Sequence, residues 1–179
     1  HDKNRSYVDG TGTFKRVINA VDRVRKAGLQ IGAIETTTRF SLNFPKEIVH
    51  SYIDMGFESI FIRPLTPLGK AAKSWGKIGY SPEEFIEFYH QALDELIEIN
   101  KKGRFIKEDH AAILLRKIRG DFMNYMELRS PCGAGVGQLA YYADGNIFTC
   151  DEGRMLHEMG QSAFQLGNVY NNTYTDLIN

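Results

Sequence analysis

Polar and apolar residues follow helical spacing over residues 11–28 and again over residues 45–56. Apolar side chains recur every three or four positions in both stretches, which predicts two amphipathic helices. Thr11 or Thr13 is the expected cap of the first helix, Pro45 suits the opening turn of the second, and a glycine ends each. The inward residues are predicted to be Phe14, Val17, Ile18, Val21 and Val24, then Ile48, Val49, Tyr52 and Ile53.

A short apolar run follows each of these helices. Leu29–Thr36 (LQIGAIET) is predicted to be a largely buried strand, and Ser59–Arg63 (SIFIR) a second buried strand. The order helix–strand–helix–strand with short connections predicts parallel α/β structure. The first helix has no strand before it and the chain has no initiator Met, so we expect a piece cut from within a repeating βα fold.

The pattern then changes from a loop back to helix. We interpret residues 64–79 as a loop, because prolines and glycines interrupt it and no apolar period is present. Ser81-Pro82-Glu83-Glu84 is a strong helix start, with a cap, an early proline and acids in the first turn. That helix is expected to end near Asn100, and a shorter one to run over about residues 108–118.

Residues 120–129 are interpreted as a linker, and we place a domain boundary near Arg129. The predicted domains are therefore 1–129 and 130–179. The second contains an Asp144-Gly145 step between short β-prone runs, which predicts a hairpin whose two turn positions both have positive φ.

This hairpin would carry Cys150 back towards Cys132, and these are the only two cysteines of the chain. Taken alone, the two thiols are compatible with buried free cysteines, a disulfide or a metal site. Zinc and iron–sulfur sites need three or four ligands, and the only further candidate is His157. A cluster would fit only if Cys132 and Cys150 supplied two of its ligands and residues beyond Asn179 supplied the others.

Charge and cysteine content narrow the class of protein. Lys plus Arg and Asp plus Glu both number 22, so no net charge favours nucleic acid or an acidic membrane surface as a partner. No apolar run reaches the length of a membrane helix. Two cysteines do not form a disulfide framework, which favours a reducing compartment and a cytoplasmic location.

Polar residues that follow parallel strands are candidates for an active face. Thr36–Thr38 and Arg39 follow the first predicted strand, and Arg63 ends the second. Either arginine could hold a carboxylate or phosphate, or could form a structural ion pair, for instance with Glu35 or Glu58. Gly32 could allow a flat ligand to approach the backbone, or could mark tight packing.

Two blocks of the sequence resemble one family. Twelve residues separate Cys132 from Gly145, and four separate Gly145 from Cys150, which resembles the opening of the SPASM domain of radical S-adenosylmethionine (SAM) enzymes. The stretch Leu166-Gly167-Asn168-Val169 is similar to a later SPASM segment. At the other end, HDKNR followed by GTGTF resembles the segment after the fourth strand of the radical SAM barrel. The sequence IFIRPLTPLGKA is most similar to that of maturases of His-Xaa-Ser peptide systems.

The resemblance implies part of a (β/α) partial barrel followed by the start of a SPASM or twitch-type domain. It implies SAM and 4Fe–4S clusters as cofactors, and a reaction in which a 5'-deoxyadenosyl radical modifies a ribosomal peptide or protein. Arg5 would help to hold the SAM carboxylate, Thr36 would lie along the SAM cleft, and Arg63 would face SAM or peptide. Cys132 and Cys150 would ligate an auxiliary cluster. Expected partners are the peptide substrate and a paired radical SAM protein; no residue is assigned as catalytic acid or base.

The chain also departs from that family. The defining CxxxCxxC loop is absent, so we expect this chain alone to be inactive. Around the first strand the sequence has Gly32, Ile34, Thr36 and Arg39, where the family's motif has a second glycine and a later acid.

Two other functions remain open from the sequence. The chain could be a (β/α) barrel enzyme that binds a phosphorylated or carboxylated small substrate through Arg39 and Arg63. It could instead be a non-catalytic module that binds peptide on Tyr141, Tyr142 and Phe148 of the hairpin.

Overall fold

A computed structural model of the chain describes residues 1–121 and 130–178. The predicted boundary near Arg129 and nearly all of the predicted linker lie outside these residues. Within the described ranges, no helix combines the length and the apolar character that crossing a membrane requires.

The structure divides into two compact units. The sheet unit consists of His1–Leu65 and Gly76–Leu114, and the hairpin unit of Thr66–Trp75 and the residues from Leu115 onward. The helices are α1 (Phe14–Lys26), α2 (Pro45–Asp54), α3 (Lys70–Lys73), α4 (Trp75–Ile78), α5 (Pro82–Lys101), α6 (Asp109–Ile118), α7 (Asp151–Glu158) and α8 (Tyr174–Ile178). The strands are β1 (Ile34–Thr36), β2 (Ser59–Arg63), β3 (Lys107–Glu108), β4 (Ala140–Tyr141), β5 (Asn146–Phe148) and β6 (Gln165–Asn168).

The sheet unit is built on a parallel sheet in the order β1-β2-β3. Side chains alternate along β2, so Ile60 and Ile62 point to one face and are fully buried. Helices α2 and α5 supply most of the rest of this core. Its other buried members are Val49, Ile53, Phe88, Ala92, Leu96 and Ile106. The predicted parallel α/β class is therefore confirmed.

Strand β1 is shorter and more exposed than the sequence predicted. Only three residues pair with β2, and the side chains of Leu29 and Ile34 are both 63% exposed. Ala33 and Glu35 point to the other face and are buried. Among the described residues β1 is the edge of its sheet and only one of its faces is covered, so an apolar run there does not mean burial on both faces.

The start of α1 also differs from expectation. Thr13 occupies the cap position, but its side chain makes no capping hydrogen bond. Asp2 takes that role from a distance: its Oδ1 accepts from the backbone N–H of Thr13 at 2.9 Å and of Phe14 at 2.8 Å. Helix α1 therefore has an N-terminal carboxylate that no local pattern indicates.

The region interpreted as a loop over residues 64–79 contains two single-turn helices, α3 and α4. Each is four residues long, which is too short to produce a readable apolar period. Helix α5 begins as predicted, with a reciprocal capping box. Ser81 N–H donates to Glu84 at 2.7 Å, and the Glu84 N–H donates to Ser81 Oγ at 3.2 Å.

Strand β3 was not predicted. It pairs with β2 through only Lys107 and Glu108, and the preceding residue, Ile106, is part of the core. The Glu108 carboxylate then continues the pairing, since its Oε1 accepts from the Ile62 N–H at 3.0 Å. Its Oε2 accepts from the Tyr89 hydroxyl and from the Ala111 N–H.

The hairpin unit contains the predicted β-hairpin, with β4 and β6 on either side of β5 in an antiparallel sheet. The turn differs in detail: Gly145 has φ +86°, but no non-glycine residue in the described ranges has positive φ. Asp144 instead accepts from the Asn146 N–H at 2.9 Å, a side-chain turn that needs no left-handed aspartate.

Candidate functional site

The carboxyl ends of β1 and β2 bring two of the predicted site residues together. Thr36 pairs in register with Arg63, and Ile34 with Phe61. These side chains share the face of the sheet opposite to Ile60 and Ile62. We call this the open face, formed by Ile34, Thr36, Ser59, Phe61 and Arg63.

Arg63 is stacked on the open face rather than extended into solvent. Its guanidinium carbon lies 5.2 Å from the centre of the Phe61 ring, within cation–π range. The Phe61 ring in turn meets His110 edge-on, with ring centres 5.7 Å apart. A planar cation beside two flat rings is suited to a ligand that carries both an anion and an aromatic group.

Arg39 forms an exposed ion pair with Glu84, with a distance of 3.4 Å between Nη1 and Oε1. It therefore pairs with a different acid from Glu35 or Glu58, the two partners that the sequence suggested. Arg63 has another environment, since it stacks on Phe61. The binding of one substrate anion by both arginines stays a prediction.

Glu35 lies beneath the loop that follows β1 and is only 7% exposed. Burial raises the pKa of Glu35 to about 7, although hydrogen bonds from Thr37 and Ser41 act in the opposite direction. The Thr37 hydroxyl donates to the carboxylate at 2.7 Å. From the sequence, Glu35 is predicted only as an ion-pair partner, because a single acid within an apolar run does not reveal which face it occupies.

Arg5 belongs to a segment that is tied to the same loop. Its neighbour Asn4 accepts a hydrogen bond from the Thr38 hydroxyl at 3.2 Å, and the Arg5 carbonyl accepts from the Thr13 hydroxyl. The capping carboxylate of Asp2 approaches Gly12 so closely that a Cβ there would overlap it. The segments HDKNR and GTGTF are therefore in contact with each other. Arg5, the last residue of the first segment, is exposed.

Gly32 is not explained by packing within the described residues. A Cβ built at this position would have no atom within 4 Å. Of the two interpretations of Gly32, tight packing against the described side chains therefore has no support, and access for a ligand stays a prediction. The backbone from Gly32 to Thr36 could then be approached closely by a flat ligand.

The two thiols lie in the hairpin unit. Cys132 is exposed, Cys150 is partly buried, and both are free thiols. The Gly135 N–H donates to the Thr149 carbonyl at 2.9 Å, which joins the segment after Cys132 to the residue before Cys150. The described residues contain no group of three or more His, Cys, Asp or Glu side chains that could hold a metal.

His157, the third ligand considered, has another environment. Its Nδ1 lies 2.9 Å from Ser162 Oγ, and its ring is 5.1 Å from that of Phe148. Phe148 is fully buried, so it cannot form the peptide-binding surface that was considered for the hairpin; Tyr141 is 60% exposed. Cysteine thiolates are the ligands that iron–sulfur clusters use. Cys132 and Cys150 are therefore ligands of the right type, but two are fewer than a cluster needs.

The segment 166–169 stabilises the hairpin turn through hydrogen bonds. The Asn168 side-chain amide donates to the Asp144 carbonyl at 3.3 Å and to Asn146 Oδ1 at 3.1 Å. Gly145 is packed beneath it, since a Cβ there would meet Tyr170 at 2.9 Å. Gly145, the glycine of the Cys–Gly–Cys spacing, thus has a physical role in closing the turn.

Comparison with known proteins identifies the fold. No family model and no curated protein matches the chain. Among solved structures, native anSMEcpe with bound AdoMet matches with a TM-score of 0.74 and 20% identity, over 99% of this chain and 46% of that chain. A tagged form with bound AdoMet gives 0.75 and 20%, over 99% and 44%. Native anSMEcpe with bound AdoMet and Kp18Cys peptide gives 0.71 and 19%, over 99% and 46%.

The chain thus spans less than half the length of the anSMEcpe structures that it matches. Both the parallel βα units and the small antiparallel sheet fall within the matched region. At this level of identity the likeness establishes the fold. It does not establish a cofactor or substrate for this chain.

Proposed function

We propose that this chain is part of a radical SAM enzyme that modifies a ribosomally made peptide or protein. The observation that carries the proposal is the match of 99% of the chain to anSMEcpe with bound AdoMet. That protein is a radical SAM enzyme with a SPASM domain. The resemblance of the HDKNR…GTGTF and Cys–Gly–Cys blocks to the same family is independent of this match, because it rests on sequence motifs.

The open face is the proposed SAM-binding surface. Thr36 would contact SAM along the end of β1, and Gly32 leaves the backbone there accessible. Arg63 would use its guanidinium on a carboxylate of SAM or of the peptide while remaining stacked on Phe61. Arg5 would bind the SAM carboxylate from the segment that Asn4 tethers to Thr38. SAM would supply the radical chemistry when bound, and these residues would orient it.

Cys132 and Cys150 are the proposed ligands of an auxiliary 4Fe–4S cluster. Two thiolates cannot complete such a site, so further ligands would have to come from outside the described residues. The sequence also lacks the three cysteines of a CxxxCxxC loop. We therefore propose that catalysis belongs to a longer protein and that this chain alone does not turn over SAM.

The proposed substrate is a peptide, since anSMEcpe has been solved with bound Kp18Cys and Cp18Cys peptides. Within this class we propose a maturase of a His-Xaa-Ser peptide system, on the sequence of residues 60–71 and 130–156. A paired radical SAM protein is a proposed partner. We also propose that the domain boundary lies near Arg129.

Iron content tests the cluster proposal. The protein encoded by the whole open reading frame should bind iron on anaerobic reconstitution, and Cys132→Ala/Cys150→Ala should remove part of that iron but not all of it. Tyr141→Phe, at an exposed position of the same hairpin, keeps both thiols and is the control, which should retain full iron. Unchanged iron in the double variant would remove these cysteines from the ligands.

The reading frame and the chain itself test the rest of the proposal. A CxxxCxxC motif encoded before His1 and further cysteines encoded after Asn179 are expected. Under reducing, anaerobic conditions the chain alone should form no 5'-deoxyadenosine. If both cysteine groups are missing from the frame, the proposal fails.

A further inference from the structure

Thr36 ends β1 and Arg63 ends β2, and a loop follows each strand. The last backbone rung runs from the Thr37 N–H to the Arg63 carbonyl at 2.9 Å. Past that rung, the Tyr80 hydroxyl accepts from the Leu65 N–H at 2.6 Å and donates to the Thr37 carbonyl at 3.1 Å. One hydroxyl thus bridges the two chain segments immediately beyond the proposed SAM-binding residues.

Tyr80 is itself held firmly. It is 8% exposed, and its ring is stacked on Phe85 with centres 6.0 Å apart and planes 15° from parallel. Two residues earlier, the Ile78 carbonyl accepts from the Arg39 N–H at 2.9 Å, so the segment before α5 is fixed to the loop after β1. A buried ring fixed on both sides gives its hydroxyl a defined position, which a mobile loop residue would not have.

We propose that Tyr80 is a positioning residue, which sets the spacing of Thr36 and Arg63 across the open face. This inference rests on the proposed function, because it concerns the binding of SAM. Tyr80 does not touch the ligand in this account and acts through the backbone of Thr37 and Leu65. Removing its hydroxyl would take the acceptor from the partly buried Leu65 N–H and free the two loops to separate.

The test compares Tyr80→Phe with Tyr89→Phe in the reconstituted protein encoded by the whole open reading frame. Tyr89 is the control: it is partly buried, whereas Tyr80 is buried, and its hydroxyl donates to Glu108. Both variants lose the hydrogen bonds of a tyrosine hydroxyl and should unfold more easily than the wild type. We expect only Tyr80→Phe to raise the SAM dissociation constant, by about tenfold, in equilibrium dialysis.

Two further measurements separate positioning from a general loss of stability. The Leu65 amide should exchange hydrogen faster in Tyr80→Phe and at the wild-type rate in Tyr89→Phe. Incorporation of 3-fluorotyrosine at position 80, which keeps the hydroxyl, should preserve SAM affinity, and it also serves if Tyr80→Phe does not fold.

The outcomes distinguish this inference from the proposal on which it rests. If the wild type binds SAM and Tyr80→Phe binds it equally well, Tyr80 has no positioning role. Equal weakening by both tyrosine variants would also overturn that role. A wild-type protein that does not bind SAM would overturn the proposed function, and the inference with it.

Discussion

The two units hold their candidate residues by different means. In the sheet unit, the loops near Thr36 and Arg63 are fixed by buried polar side chains, namely those of Glu35, Thr37 and Tyr80. In the hairpin unit, the segments around Cys132 and Cys150 are joined through backbone hydrogen bonds such as Gly135 to Thr149. Close packing around Gly145 closes the hairpin turn.

This difference determines what each region should respond to. A buried carboxyl makes the sheet unit sensitive to pH, because ionising it in an apolar environment is unfavourable. Packing around a glycine makes the hairpin unit sensitive to added volume, because a Cβ at Gly145 would press on three neighbouring side chains at once. Three predictions sharpen this contrast, from the largest expected effect to the smallest.

Glu35→Gln should remove the largest pH dependence. The pKa of Glu35 is about 7 in the folded chain against an ordinary 4.5, so the folded state holds its proton more tightly than the unfolded state. The resulting stability is fully present below pH 4.5 and is lost as pH rises through about 7. It amounts to up to about 3 kcal/mol. This contribution is measured by urea unfolding at about pH 5 and about pH 8, monitored through hydrogen exchange of the β2 amides.

Glu95→Gln is the control for this effect. Hydrogen bonds from His50 and Lys46 lower the pKa of the partly buried Glu95, so its contribution has the opposite sign. We expect β5 amides in the hairpin unit to lack the Glu35-dependent change. Equal pH dependence of β2 in wild type and Glu35→Gln would show that Glu35 is not the group responsible.

Gly145→Ala should destabilise the hairpin unit by roughly 2–3 kcal/mol, since it combines an unfavourable positive φ with overlap. The added methyl group would meet Tyr170 at 2.9 Å and Asn168 at 3.0 Å. Gly160→Ala separates the two causes, because Gly160 has φ +88° and no atom near an added Cβ. It should cost only about 1 kcal/mol. Equal costs in chemical denaturation would contradict the packing argument.

Asp2→Ala should cost about 1 kcal/mol, the usual value of an N-terminal cap, and should accelerate amide exchange at Thr13 and Phe14. Gly12→Ala is expected to act in the same way, because its methyl group would displace the Asp2 carboxylate. The double variant should then cost little more than either single one. Additive losses would mean that the two residues act separately.

Local signals in the sequence were sufficient for much of the fold. Helix α5 carries its own capping box and apolar stripe, and the Asp-Gly step identified the hairpin, so both could be predicted without knowledge of the tertiary structure. Strand β3 could not, because only two of its residues pair with β2. The fold class followed from element order alone.

The candidate site was less accessible to prediction. Strand alternation placed Arg63 with Phe61, but only the packing of α2 and α5 reveals which face is covered. Asp2 caps a helix that begins twelve residues later, and Tyr80 bridges segments from two other loops. Such contacts depend on how distant parts of the chain meet, which spacing within one segment does not encode.

The Glu108 carboxylate has a consequence for which substitutions this position can accept. It receives hydrogen bonds from the Ile62 N–H, the Tyr89 hydroxyl and the Ala111 N–H, all of which are donors. Glutamine has nearly the same shape, but its amide nitrogen would turn a donor towards at least one of these groups. The requirement at this junction of β2, α5 and α6 is therefore for an acceptor on both sides of the side-chain group, and size alone cannot satisfy it.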